Sequence, residues 1–260
     1  MCGRYISVQK KENLEKIFEA KFVENANYKA SYNISVGDLA PVITNLDPYD
    51  IQMFRFGLNP AWVEKPRYIF NVRAEGEHNE KNEMDYMGIK GIMSNPNSNK
   101  PLRSQRCLVL ADAYIEASLQ FGFKKPYVVY LKENRRPFAF AGIWDTWQNK
   151  ETGELVNSFS IVTVPANELV RRIPNDRMPV ILPRGKEKVW LDTGKNMSEI
   201  LRLLRTYPAY MMNAYPVTEQ YKSTEVNGSW LLEPKGRRLD SDFGAKIYEK
   251  ETSQALRQYA

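Results

Sequence analysis

A cysteine stands second in the chain, between the opening methionine and Gly3. Removal of Met1 would leave a thiol and an amine on adjacent carbons of one residue. A terminal amine has a pKa of about 7.7–8 and a free thiol about 8.5, so near neutral pH a useful fraction of each is nucleophilic. Against an aldehyde, the amine forms an imine and the sulfur then closes a five-membered thiazolidine; against an amide, the thiolate attacks while the amine serves as base. Taken alone, a cysteine at position two is also an ordinary second residue. The one histidine, His78, is the only side chain whose unperturbed pKa lies near 7, so a mechanism that needs imidazole uses His78 or does without. Two cysteines and one histidine offer no metal-ligand cluster, and no metal or cofactor is expected. A Ser/His/Asp hydrolase reading fails because His78 lies in no recognisable motif.

Chemistry at the start of a chain needs a scaffold to hold it. Leu14, Ile17 and Phe18 recur at helical spacing after Lys10, Lys11 and Glu12, which predicts a short amphipathic helix over residues 10–20. Residues 32–44 read as loop leading into strand, 51–57 as a strand, and 68–74 as a further extended segment, with the irregular Leu58-Asn59-Pro60-Ala61-Trp62 between the last two. The polar stretch 76–105 predicts a short helix at 83–89 and then an exposed loop. An apolar strand at 107–110 leads to Asp112 and Glu116. The β-branched and aromatic runs 127–131 and 138–144, separated by a turn-like segment, predict a hairpin. A strand at 159–164, a helix at 167–173 ended by Pro174, and an extended 177–182 follow. Met197, Ile200, Leu201, Leu203 and Leu204 mark the clearest helix, read as core support. The expected fold class is α+β: a single domain over residues 1–232, with many short, mostly antiparallel strands forming a barrel-like sheet core and a few flanking helices. Residues 233–260 read as a polar C-terminal tail.

Hydrophobic residues make up 43% and charged residues 26%, which fits a soluble globular chain and argues against general disorder. No apolar run is long enough to span a membrane, and Lys10, Lys11, Glu12 and Glu15 interrupt any secretory core, so a cytoplasmic monomer without a membrane partner is expected. Such a compartment disfavours a Cys2–Cys107 disulfide. The formal net charge of +6 tilts the partner mildly toward a polyanion, since lysine and arginine near phosphates gain from counterion release.

Several stretches then read as a set: Met1-Cys2-Gly3-Arg4-Tyr5, Tyr32-Asn33-Ile34 to Ala40-Pro41-Val42-Ile43, Phe56 to Trp62, Phe70-Asn71-Val72-Arg73-Ala74-Glu75, Arg106 to Glu116, and Asp176-Arg177-Met178-Pro179. In this order they resemble the SOS response-associated peptidase (SRAP) family, from residue 1 to about residue 228. The resemblance implies a DNA-damage sensor that binds abasic sites in single-stranded DNA and crosslinks itself to them. It implies self-removal of Met1, a thiazolidine formed by Cys2 with the ring-opened sugar, and peptidase, crosslinking or lyase activity. Carried over residue by residue, Glu116 would shuttle protons, Asn71 would hold the aldehyde oxygen, and Arg4, Arg73 and Arg177 would take flanking phosphates. Trp62, beside Pro60, resembles a wedge on which a base stacks.

The match breaks where the family carries a histidine before the Asp-Arg-Met-Pro run. Asn175 or, with the register slipped by one, Pro174 occupies that position here; neither carries a proton, so binding through Asn175 would persist while proton transfer weakens, giving a slow or poorly reversible crosslinker. Ala117, Ala113 and Gly76 depart from the family's usual Trp, Gly and Thr. Each candidate also has a plainer reading: Glu116 as a strand-end carboxylate, Arg73 with Glu75 as a surface ion pair, Trp62 as a core cap, Asn71 as a turn residue. Two other functions compete, an N-terminal-cysteine amidohydrolase or glutaminase and a non-catalytic module that binds single strands.

Overall fold

The computed structural model describes residues 3–118, 120, 122–133 and 135–240; Cys2 and residues 241–260, on which some expectations fall, lie outside the described residues. In chain order the elements are β1 (Arg4–Ser7), α1 (Lys11–Phe18), β2 (Lys21–Phe22), β3 (Ser31–Ser35), β4 (Leu39–Thr44), β5 (Asp50–Phe56), β6 (Asn71–Arg73), α2 (Asn99–Ser104), β7 (Arg106–Ala111), β8 (Ala113–Ser118) and β9 (Gly122–Leu131). The second half supplies β10 (Phe138–Gln148), β11 (Leu155–Pro165), α3 (Glu168–Arg171), β12 (Arg177–Pro179), α4 (Glu187–Leu191), α5 (Met197–Leu201) and β13 (Met212–Pro216).

The strands run in the order β11-β10-β7-β4-β5, and a parallel pairing of Phe56 with Phe159 joins β5 back to β11, so these five close into a barrel. Closure removes the exposed edges a five-stranded sheet would present. Long apolar runs make this possible: β7 and most of β10 and β11 are buried on both faces. Phe56 and Phe159 stack at 5.2 Å inside. The other strand pairs are mostly antiparallel; β6 and β2 join β11 and β5 in parallel.

A second, five-stranded sheet, β13-β9-β8-β1-β3, packs on the barrel. Its cross-strand rows alternate. Tyr5, Tyr114, Val129 and Ala214 lie side by side and join the barrel core, where Tyr5 meets Phe56 and Phe140 edge-on at 5.6 and 5.9 Å. The next row, Ile115, Val128 and Tyr215, faces the opposite way into a smaller core completed by Tyr221, Leu231 and Leu232. A strand buries alternate residues on opposite faces, so this sheet is filled on both sides.

The α+β class and barrel-like core agree with expectation, as does a helix over most of residues 10–20. Three local readings need correction. The runs 127–131 and 138–144 do not form a hairpin: β9 pairs with β8 and β13, whereas β10 pairs with β7 and β11, so the connection crosses between sheets. Residues 83–89 form no helix, because Met87 and Ile89 are exposed and offer no face to bury, while Asn79 holds both the N–H and the carbonyl of Glu83. The exposed-loop reading misses α2. Residues 233–240 run along β13, with Lys235 and Leu239 donating backbone N–H groups to the carbonyls of Pro216 and Ala214.

Candidate active site

β1 lies between β8 and β3, so the start of the chain is held on both sides. Arg4 pairs with Ile115, and the same antiparallel register carried back one residue sets Gly3 opposite Glu116. On its other flank Gly3 rests against the Phe70 ring, where a β-carbon built on Gly3 would lie 3.5 Å from the ring. Gly3 therefore stands near Glu116 in register and against the Phe70 ring, the residue before Asn71. Cys2 is bonded to that residue; its own position is outside the described residues.

Glu116 is buried, and burial raises its carboxyl above the ordinary value of 4.5, because a carboxylate loses hydration there. Its Oε1 accepts from Asn175 Nδ2 at 2.7 Å and from the Ala117 amide at 3.2 Å. Asn175 thus touches the acid directly, at the position where the resemblance leads to the expectation of a histidine. The amide orientation is fixed: Nδ2 also donates to the Ala117 carbonyl at 3.0 Å, and Oδ1 accepts from the Arg177 backbone N–H at 3.1 Å.

Asn71 opens β6 opposite Ile161, and its Nδ2 donates to the Phe70 carbonyl at 2.9 Å. Arg73, two residues on, keeps over a third of its side chain exposed and meets the exposed Glu77 at 4.0 Å. The expected alternative of an Arg73–Glu75 surface pair does not form. Glu75 is instead buried against Arg177, which also donates to Asn82 Oδ1 at 3.0 Å and Thr163 Oγ1 at 3.2 Å. Arg4 is equally occupied: it donates to Asn33 Oδ1 and to the Lys222 carbonyl, each at 2.9 Å, tying β1 to β3 and to residues 222–223. These contacts turn both guanidinium groups toward protein oxygens, leaving Arg73 as the more accessible of the three arginines.

Trp62 does not cap the core; it is 57% exposed, with the Arg67 guanidinium 5.0 Å from its ring. The loop that carries it is pinned from inside. Buried Asn59 accepts from the Arg67 and Tyr68 amides, Asp145 accepts from the Ala61 amide, and Trp147 donates to the Val63 carbonyl. Sequence reasoning passed over Asn59 and Arg67; an asparagine before a proline, with a basic residue later in the same loop, was the available signal.

His78 is exposed, on the turn after Glu75. Cys107 is buried in β7, and burial pushes its thiol well above the ordinary range, which makes it a poor nucleophile. Among the described residues no group of three or more His, Cys, Asp or Glu could hold a metal, and no helix is long and apolar enough to cross a membrane.

This architecture has solved counterparts. A crystal structure of a protein from Bacteroides thetaiotaomicron superimposes with a TM-score of 0.70 at 26% identity, covering 87% of this chain and 97% of that one. Residues 1–224 match the SOS response associated peptidase (SRAP) family, and the chain belongs to it. Among its relatives is the abasic site processing protein YoqW of Bacillus subtilis, 32% identical over 240 residues that span 90% of this chain and 99% of that protein. The abasic site processing protein HMCES of Xenopus tropicalis is 27% identical, over 79% of this chain and 65% of its own longer length.

Proposed function

We propose that this chain processes abasic sites in DNA: that it binds them in single strands and, once Met1 is removed, captures the ring-opened sugar as a thiazolidine on Cys2. The observation that carries the reading is the buried Glu116 bonded to Asn175 and set opposite Gly3, the residue joined to Cys2. Kinship with abasic site processing proteins supplies the substrate class.

The Cys2 amine adds to the aldehyde carbon, the carbinolamine loses water to give an imine, and the sulfur adds to the C=N carbon to close the ring. Glu116, whose carboxyl burial shifts toward the protonated form, gives its proton to the departing hydroxyl and as carboxylate takes one back from the attacking thiol. Asn71 orients the sugar oxygen. Arg73 takes a flanking phosphate and Trp62, with Arg67 on its ring, stacks a base. The buried contacts of Arg4 and Arg177 give these two a positioning task in place of the phosphate contact their motif suggests. Autoproteolysis of Met1 uses the same thiol and carboxyl. The chain works as a cytoplasmic monomer.

The test is incubation with a single strand containing one abasic site, followed by denaturing electrophoresis and intact mass. A denaturant-resistant adduct lacking Met1 is expected, absent in Cys2→Ala and slowed about 10²–10⁴-fold in Glu116→Gln. Binding without any adduct would leave the non-catalytic reading standing instead.

A further inference from the structure

Four buried polar side chains form a continuous line. Glu75 grips the Arg177 guanidinium with both carboxylate oxygens, the Arg177 backbone N–H donates to Asn175 Oδ1, and Asn175 Nδ2 donates to Glu116 Oε1. Each of the four is at most 3% exposed. We propose that Glu75 is a positioning residue for the acid: by anchoring Arg177 it holds the Asn175 amide with its N–H end on Glu116. This rests on the reading of Glu116 as the proton carrier, and it goes beyond it by extending the site to a carboxylate outside hydrogen-bond reach of the acid.

Three features support a positioning role over a merely structural one. A buried charge pair stabilises little on its own, because desolvation of both ions offsets their attraction. The grip is oversupplied: Asn82 and Thr163 add acceptors around the same guanidinium, which fixes the Arg177 side chain from three directions. And Arg177 reaches Asn175 through its own backbone, so a shift of β12 tilts the amide. Only one amide orientation satisfies all three contacts, since a flipped Asn175 would aim an N–H at the Arg177 N–H and an oxygen at the Glu116 carboxyl. The geometry around Glu116 is therefore set by a residue held across β11, to whose opposite edges β6 and β12 pair at Thr163.

The experiment follows the side-chain amide of Asn175 by ¹⁵N–¹H NMR in the DNA-free chain, the signal being assigned by its loss in Asn175→Ala. Glu75→Gln is expected to speed solvent exchange of that amide by about tenfold or more, the factor for roughly 1.4 kcal/mol of lost anchoring, and to slow adduct formation by a similar factor at saturating DNA. Should Glu75→Gln fail to fold, the paired Glu75→Leu/Arg177→Met variant, which fills the same volume with apolar groups, replaces it with the same expectation. An unchanged Asn175 signal in a folded variant overturns the proposal, and so does a change that Glu75→Gln also makes in the Asn175→Ala background, where there is no amide left to position. Because the NMR readout needs no DNA, a native chain that forms no adduct would sink the functional reading while leaving this one to be judged by exchange.

Discussion

At the scale of single residues, the site turns on what surrounds one carboxyl. Burial raises Glu116, and also Asp112, above their ordinary values of 4.5 and 3.8. The folded chain therefore binds protons that the unfolded chain releases, and by linkage stability falls as pH rises past those ordinary values through the raised ones. Glu116→Gln should flatten that decline when thermal midpoints are compared across pH, since the amide does not titrate. Asn175 donates to Glu116 without being able to carry a proton. Asn175→His is accordingly expected to speed both formation and release of the adduct by up to about 10²-fold; equal rates in a timed chase would remove any account of slow reversal. The identity of these residues was legible in sequence from the family motifs. Their alliances were not: that Glu75 turns inward to Arg177 while Arg73 faces outward depends on which side of β11 each strand adds to, which residue spacing does not encode.

At the scale of elements, positions are set by short loops fastened from beneath. Trp62→Ala removes an exposed ring and should weaken single-strand binding by about 1–3 kcal/mol without moving the melting temperature. Asn59→Ala strips two backbone N–H groups of their acceptor and should instead lower stability by about 1–3 kcal/mol, with a secondary loss of binding. Comparing titration and melting for the two variants separates platform from foundation. Gly76, one of the departures from the family pattern, has a local reason. Its φ is +60°, and a β-carbon there would lie 2.9 Å from the Gly91 α-carbon, so the 91–93 turn can approach only a glycine. Helix α1 and strand β5 were readable from periodicity, because each buries only part of its surface, Leu14 in the helix and Ile51, Phe54 and Phe56 in the strand. The hairpin expected of β9 and β10 was misread since turn composition reports that the chain bends, not whether its two arms return to the same sheet.

At the scale of the whole molecule, the second core decides how the start of the chain is held. Ile6 and Ile115 pack there with Tyr221, Leu231 and Leu232. Leu231→Ala is expected to destabilise the chain by about 2–5 kcal/mol, read by denaturant unfolding, and to depress adduct yield in proportion to the unfolded fraction. Arg4 sharpens the point, for its guanidinium bonds the carbonyl of Lys222, 218 positions along the chain. β1 is flanked by β3 and β8, and Arg4 bonds both Asn33 on β3 and the distant Lys222 carbonyl. One guanidinium thus sews the first strand to a segment more than two hundred residues away, so any loosening of residues 222–223 is transmitted to the strand lying beside β8.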